Sequence, residues 1–224
     1  MLIIVEHKRK QMSMCYYDPL LFIIWLTMLD ATMKEEGSHM NIREMLQTHP
    51  IIAAAEHDHV ALAVRSKACA VLLMHGKITS LLETEFQELR KQKPVFIHTD
   101  LVKGLSNDKE AAAFLAGHVQ PAGIVSTKSA TIRAAKKEGL LTIQRVFLID
   151  TGSFQTAIRS IKENEPDAIE IMPGIAPSII PAFQEQTGLP IIAAGLISTP
   201  EQVEEAMKAG ADAVSLSRSE LWNL

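Results

Sequence analysis

The sequence predicts an α/β protein, a (β/α)8 or TIM barrel folded as a single compact domain. Short apolar, β-prone runs alternate with helix-length amphipathic stretches from Pro50 to Leu224, the pattern of parallel strands joined by crossover helices. Most of the runs are apolar throughout, as expected of strands covered on both faces. The competing open, doubly wound sheet carries G-x-G-x-x-G after its first strand, and that motif is absent.

The strand candidates in order are Ile51 to Ala55, Ala70 to His75, Val95 to Asp100, Gly123 to Thr127, Leu141 to Arg145, Ala168 to Met172, Ile191 to Ala194 and Ala213 to Leu216. Helical stretches lie between them at Leu81 to Gln92, Asp108 to Gly117, Ser129 to Glu138, Ser153 to Asn164, Pro177 to Thr187 and Pro200 to Ala209. Ser129, Ser153, Ser178 and Thr199 are placed to cap exposed backbone N–H groups, and Pro200 suits a first helical position. Gly139, Gly188 and Gly210 follow helices and suit a left-handed turn. The repeats fill fewer residues than the ~250 usual for this fold, so helices and loops must be lean.

The chain has 224 residues, 47% hydrophobic and 21% charged, as an ordinary globular protein does. Its formal net charge of −4 gives no overall attraction to polyanions, so a nucleic-acid contact must rest on a local basic patch. Cys15 and Cys69 stand far apart in neither a metal nor a redox spacing, which points to a reducing compartment, the cytoplasm. We assign residues 41–224 to the barrel. Residues 1–40 are set apart because Gly37-Ser38-His39-Met40 is the remnant a protease leaves when an expression tag is removed. Within them, the apolar run Pro19 to Leu29 is bounded by Asp18 and Asp30 and falls short of the roughly 20 residues that span a bilayer, so no membrane association is expected.

In such a barrel, the polar residue just past each strand points into the ligand mouth. That rule selects Glu56, His98, Asp100, Thr127, Lys128, Arg145, Glu170 and the loops at Gly195 and Ser217. The strongest signal is Pro190-Ile-Ile-Ala-Ala-Gly-Leu-Ile197, a helix, then Ala209-Gly-Ala-Asp-Ala-Val-Ser-Leu-Ser-Arg218. Gly195 would let the backbone approach an anion, and Ser217, Arg218 and Ser219 would open a short final helix whose N–H groups favour negative charge. Barrels commonly build a phosphate site from the loops after strands seven and eight.

Arg145 rises from a buried strand and needs an anionic partner, for which Glu170, Asp150 and Asp100 are candidates beside a bound ligand. Asp100 and Glu170 have the chemistry of a general base and acid, or of acceptors for ligand hydroxyls. His57 and His59 alternate after the first strand without the carboxylate-histidine spacing of a metal site, so neither metal nor cofactor is expected.

Arg133, Lys136 and Lys137 share one face of a helix at i, i+3 and i+4 spacing, and Arg159 and Lys162 lie on the next helix. Neighbouring barrel helices would join them into one basic patch for RNA phosphates. The 5% aromatic content argues against base stacking as the main mode.

Several stretches resemble a known family. They are Val95-Phe-Ile-His-Thr-Asp-Leu-Val-Lys-Gly-Leu-Ser106, Gly123-Ile-Val-Ser-Thr-Lys-Ser129, Thr142-Ile-Gln-Arg-Val-Phe-Leu-Ile-Asp150, Ile169-Glu-Ile-Met-Pro-Gly174, the Pro190 to Ile197 loop, Gly210-Ala-Asp-Ala-Val-Ser215 and Glu220-Leu-Trp-Asn223. Together they resemble the glycerol uptake operon antiterminator regulatory proteins, bacterial regulators of glycerol catabolism. The resemblance implies a non-catalytic barrel that binds glycerol 3-phosphate and contacts its messenger RNA leader to prevent transcription termination. It implies Lys128, Arg145, Gly195 and Ser217 at the phosphate, with Asp100 and Glu170 near the glycerol end. A homodimer stays open as a further partnership. The alternatives are a barrel enzyme acting on a small phosphorylated sugar or triose, with Asp100 and Glu170 as working carboxylates, and a scaffold with a vestigial phosphate site.

Overall fold

The computed structural model describes residues 41–224. The remnant at Gly37 to Met40, the apolar run Pro19 to Leu29 and Cys15 lie outside the described residues. The chain enters on a short helix, α1 (Ile42–Thr48), capped by Asn41, whose side chain accepts from the Arg43 backbone N–H. The strand-helix alternation read from the sequence starts at Pro50 and does not include this helix. Its Ile42, Met45 and Leu46 follow i, i+3, i+4 spacing and are buried with inward strand residues Ile52, Leu72, Phe96 and Ile143. The Arg43 guanidinium bonds the Gly188 carbonyl and pins the helix.

The strands are β1 (Ile51–Glu56), β2 (Ala70–Lys77), β3 (Val95–His98), β4 (Val102–Lys103), β5 (Gly123–Ser126), β6 (Leu141–Phe147), β7 (Ala168–Met172), β8 (Ile191–Ala194) and β9 (Ala213–Leu216). All pairings are parallel. The order β1-β9-β8-β7-β6-β5-β3-β2 closes through a β1–β2 pairing, giving the (β/α)8 barrel that the alternation predicts. β4 stands outside the ring and extends the end of β2. Its two residues are too few for a periodic signal, and the sequence does not predict it.

The helices after α1 are α2 (Val60–Arg65), α3 (Thr84–Gln92), α4 (Lys109–Phe114), α5 (Ser129–Lys137), α6 (Thr151–Asn164), α7 (Ile180–Thr187) and α8 (Pro200–Lys208). Their apolar faces and the outward residues of the strands form one buried layer; the inward residues and α1 form a second. This double burial explains why the strands read as unbroken apolar runs.

Local chemistry departs from expectation at several ends. Thr199 caps α8 as expected, accepting from Gln202 N at 3.3 Å. The cap of α6 is Asp150, with Ser153 its partner in a reciprocal capping box. Ser129 Oγ pairs with Ser160 Oγ at 3.1 Å instead of capping α5, and no side chain caps the turn at Ser178. β3 stops at His98, because Thr99–Leu101 closes into a 3-10 turn. Gly139, Gly188 and Gly210 all have positive φ, as their positions after helices predict.

Candidate functional site

Strand alternation decides what fills the upper half of the barrel. Inward positions lie two residues apart along each strand, so above the apolar layer of Leu72, Phe96, Ile143 and Ile192 comes Met74, His98, Arg145, Glu170, Ala194 and Ser215. Arg145 and Glu170 are direct partners across β6 and β7. The guanidinium Nε donates to Glu170 Oε2 at 2.5 Å, and both side chains are buried, at 5% and 2% exposure. Of the three anions considered for Arg145, the structure therefore selects Glu170. A second guanidinium nitrogen meets Met74 Sδ at 3.7 Å.

Small residues at this level leave room beside the pair. Ala54, Ala194 and Ser215 line a cavity of about 130 Å³ with Arg145, Met74, Met172, Gly195, Leu196 and Ser217. Three of the six expected ligand residues, Arg145, Gly195 and Ser217, thus meet in one cavity, with Glu170 bound to the first of them. Gly195 has φ +79°, and a Cβ there would lie 2.5 Å from Met172 Cε. The left-handed backbone favours glycine at this point, and a side chain there would also have to displace the mobile end of Met172. The carbonyls of Ala194 and Gly195 accept from Gly174 N at 2.6 and 3.1 Å, which fixes the loop to its neighbour after β7.

The final helix expected at Ser217 to Ser219 is one 3-10 turn, Ser219–Leu221, too short to gather a set of free N–H groups. It is held instead by Trp222, whose indole N–H donates to Leu216 O at 2.9 Å.

Asp100 and Lys128 stand on the other side of the mouth, at the ends of β3 and β5. Asp100 Oδ1 accepts from Ser126 Oγ at 2.7 Å, and Oδ2 accepts from the backbone and the hydroxyl of Thr127, each at 2.8 Å. Burial works against its charge, but the Thr127 N–H and the two hydroxyls outweigh it and hold the carboxyl below its ordinary range. Lys128 is exposed as the residue preceding α5, and Ser126 Oγ accepts its backbone N–H at 3.1 Å. His98 points inward and is 3% exposed. Burial first and the Arg145 charge second push its pKa down to about 4, so the ring is neutral near pH 7. Its Nδ1 has no partner among the described residues.

The five cations of α5 and α6 divide. Arg133 donates to Asn164 Oδ1 at 2.6 Å, in a network that also joins Ser129, Gln144 and Ser160. Lys136 bonds the Glu165 carbonyl at 2.5 Å and approaches its carboxylate at 3.6 Å. Lys137, Arg159 and Lys162 are exposed. Among the described residues no group of three or more His, Cys, Asp or Glu is placed to hold a metal, and no helix is long and apolar enough to cross a membrane.

Fold and cavity together define a small (β/α)8 barrel with a partly polar pocket at the carboxyl ends of its strands. A family model described as glycerol-3-phosphate responsive antiterminator matches residues 51–222, and the chain belongs to that family. The glycerol uptake operon antiterminator regulatory protein of Listeria monocytogenes str. 4b F2365 is 34% identical, with a TM-score of 0.73 over 78% of this chain and 95% of that one. A glycerol uptake operon antiterminator-related protein of Thermotoga maritima is 29% identical, with a TM-score of 0.67 over 78% of this chain and 98% of its own. Escherichia coli YgcP is 32% identical over 83% of this chain and 97% of its own length. Orotidine 5'-phosphate decarboxylase of Pyrococcus horikoshii, at 17% identity and a TM-score of 0.56, shares the fold alone.

Proposed function

We propose that the protein is a cytoplasmic, glycerol 3-phosphate-responsive transcription antiterminator that binds a messenger RNA leader of glycerol catabolism genes and catalyses no reaction. The observation that carries the ligand assignment is the cavity that brings Arg145 together with Gly195 and Ser217. At about 130 Å³ it suits a ligand smaller than the drug-sized molecules of 300–1,000 Å³ pockets. The phosphate sits on the Gly195 and Ser217 loops, and the buried guanidinium supplies positive charge from below. Lys128 reaches in from the end of β5 as the second cation. The glycerol hydroxyls turn toward Ser215 and Glu170.

Asp100 acts through the loop it holds, setting the backbone of Thr127 and Lys128. A base or acid for phosphosugar chemistry is poorly served here. Glu170 is committed to Arg145, and both Asp100 oxygens accept hydrogen bonds already. Ligand binding then biases the loops at the strand ends toward an RNA-competent arrangement. A tenfold change in RNA affinity needs about 1.4 kcal/mol of coupling, within reach of a few charge-assisted hydrogen bonds.

Calorimetric titration with glycerol 3-phosphate tests the ligand assignment. Wild type should bind, Ser215→Met should fill the cavity and abolish binding, and Lys128→Ala should weaken it about tenfold. A wild type that gives no heat at millimolar ligand overturns the assignment. Filter binding to the leader RNA with and without the ligand tests the response, and equal affinities in the two conditions rule it out.

A further inference from the structure

Resting on the reading of an RNA-binding antiterminator, we propose that the RNA phosphates dock on a raised lip of the strand-end rim, built by the end of β2 and by β4, through Lys77 and Lys103.

The eight-residue β2 continues past the barrel wall, and β4 pairs only with that extension. Gly76 stands opposite Val102 and Lys77 opposite Lys103 in parallel register. The backbone fixes this arrangement. Ile78 N donates to Lys103 O at 2.9 Å, and the chain leaves through Gly104, whose φ of +86° turns it away. A Cβ on Gly104 would lie 3.0 Å from Ile78 Cγ2, so the turn is packed as well as bent.

Two lysines paired across strands repel each other, a cost that folding alone does not recover. Both are exposed, and neither has a carboxylate within 4.0 Å among the described residues, where Lys91, Lys109, Lys136 and Lys208 each do. Of the acids on neighbouring segments, Glu56 stands opposite His75 across β1 and β2, Asp100 is engaged by Ser126 and Thr127, and Asp58, Glu83 and Asp108 follow the strand ends without pairing with either lysine. Exposed Lys128, at the end of β5, adds a further cation to the same strand-end rim, two strands along the ring from β2.

A net charge of −4 leaves the molecule as a whole repelling a polyanion, so contact must fall where cations gather without compensation. The lip satisfies this better than the outer helices. There, Lys137, Arg159 and Lys162 are also exposed without an ion-pair partner among the described residues, but Arg133 and Lys136 already serve Asn164 and Glu165, and Glu138, Glu163 and Glu165 alternate with the cations. It also places RNA beside the ligand mouth, where an occupant holding Lys128 and the strand-end loops changes the surface that RNA meets. A response then requires no transmission through the barrel.

The test compares two double variants of the full chain, Lys77→Glu with Lys103→Glu and Arg159→Glu with Lys162→Glu, against wild type. The probe is a fluorescently labelled transcript of the glycerol uptake operon leader, titrated at several salt concentrations. All four positions are exposed, and thermal melting confirms that both variants fold. We expect the lip variant to lose tenfold or more in RNA affinity. Its log K against log salt slope should fall by roughly 0.7 for each phosphate left without its lysine. Calorimetry should show its glycerol 3-phosphate affinity unchanged within twofold, and the helix variant should bind RNA nearly as wild type does. Wild-type RNA affinity in the lip variant, with loss in the helix variant, overturns the lip and leaves the antiterminator reading standing. A wild type that binds no leader RNA overturns both. Loss of binding to anionic phospholipid vesicles, with RNA affinity intact, assigns the lip to a membrane surface and also overturns the proposal.

Discussion

The mouth of the barrel has two unlike halves. On the side of β8, β9 and β1, the inward residues are Ala194, Ser215 and Ala54, and their small side chains leave a cavity. On the side of β3 and β5, His98 occupies the inward position, and Ser126 and Thr127 both bond Asp100 at the strand ends. Arg145 and Glu170 stand between. Polar residues at strand ends are thus no single class: on one side they surround an open space, and on the other they hold a loop in place.

The largest effect should come from the residues that divide the halves. Arg145→Ala leaves the Glu170 carboxylate buried without its partner, and urea denaturation should show a loss of roughly 3–5 kcal/mol. Replacing both by methionine removes the uncompensated charge and should recover most of that stability, while calorimetry shows ligand binding still absent. Recovery of binding in the double variant would mean that the pair only supports the fold.

The filled side should respond to pH in two separate windows. His98 has its folded pKa lowered from 6.5 to about 4, chiefly by burial. Its contribution to stability is therefore complete above pH 6.5 and is lost as pH falls toward 4, by up to roughly 3 kcal/mol. Asp100 also has a lowered folded pKa, so its contribution is present above its ordinary 3.8 and is lost only as pH falls through the lower folded value. Denaturation midpoints in His98→Asn should lack the first window and keep the second.

The open side should respond to shape. Gly195→Ala imposes a left-handed backbone on a residue whose Cβ meets Met172 Cε, and should cost about 1–3 kcal/mol. Combining it with Met172→Ala should relieve the clash and leave only the backbone part. The smallest change is expected for Asp100→Asn, which keeps the size of the side chain but weakens its bonds to Ser126 and Thr127, at about 1 kcal/mol near neutral pH. A larger loss of ligand affinity than of stability in that variant would place Asp100 at the ligand instead of beneath the Lys128 loop.

The barrel was legible in the sequence because burial on both faces writes each strand as an unbroken apolar run, and these runs fall where β1 to β3 and β5 to β9 stand. The need of Arg145 for an acid was legible too, since a charge within such a run requires a partner. Which acid it meets depends on the register of β6 on β7, a property of the sheet that no single segment encodes. The cavity was hidden for a related reason. Ala54, Ala194 and Ser215 are ordinary residues alone and make space only because closure brings them to one level. Of the elements not predicted, α1 carried a readable sign in Asn41 and the spacing of Ile42, Met45 and Leu46, whereas β4 shows no pattern in two residues.

Among the described residues, Ile42, Met45 and Leu46 of α1 pack against the inward residues at the lower end of the barrel, while the upper end opens beside the Arg145 and Glu170 pair. Whatever occupies that opening also sets how well the pair is hydrated. A small guest would therefore dry the charges beneath it and strengthen their attraction, stiffening β6 against β7 before touching either strand.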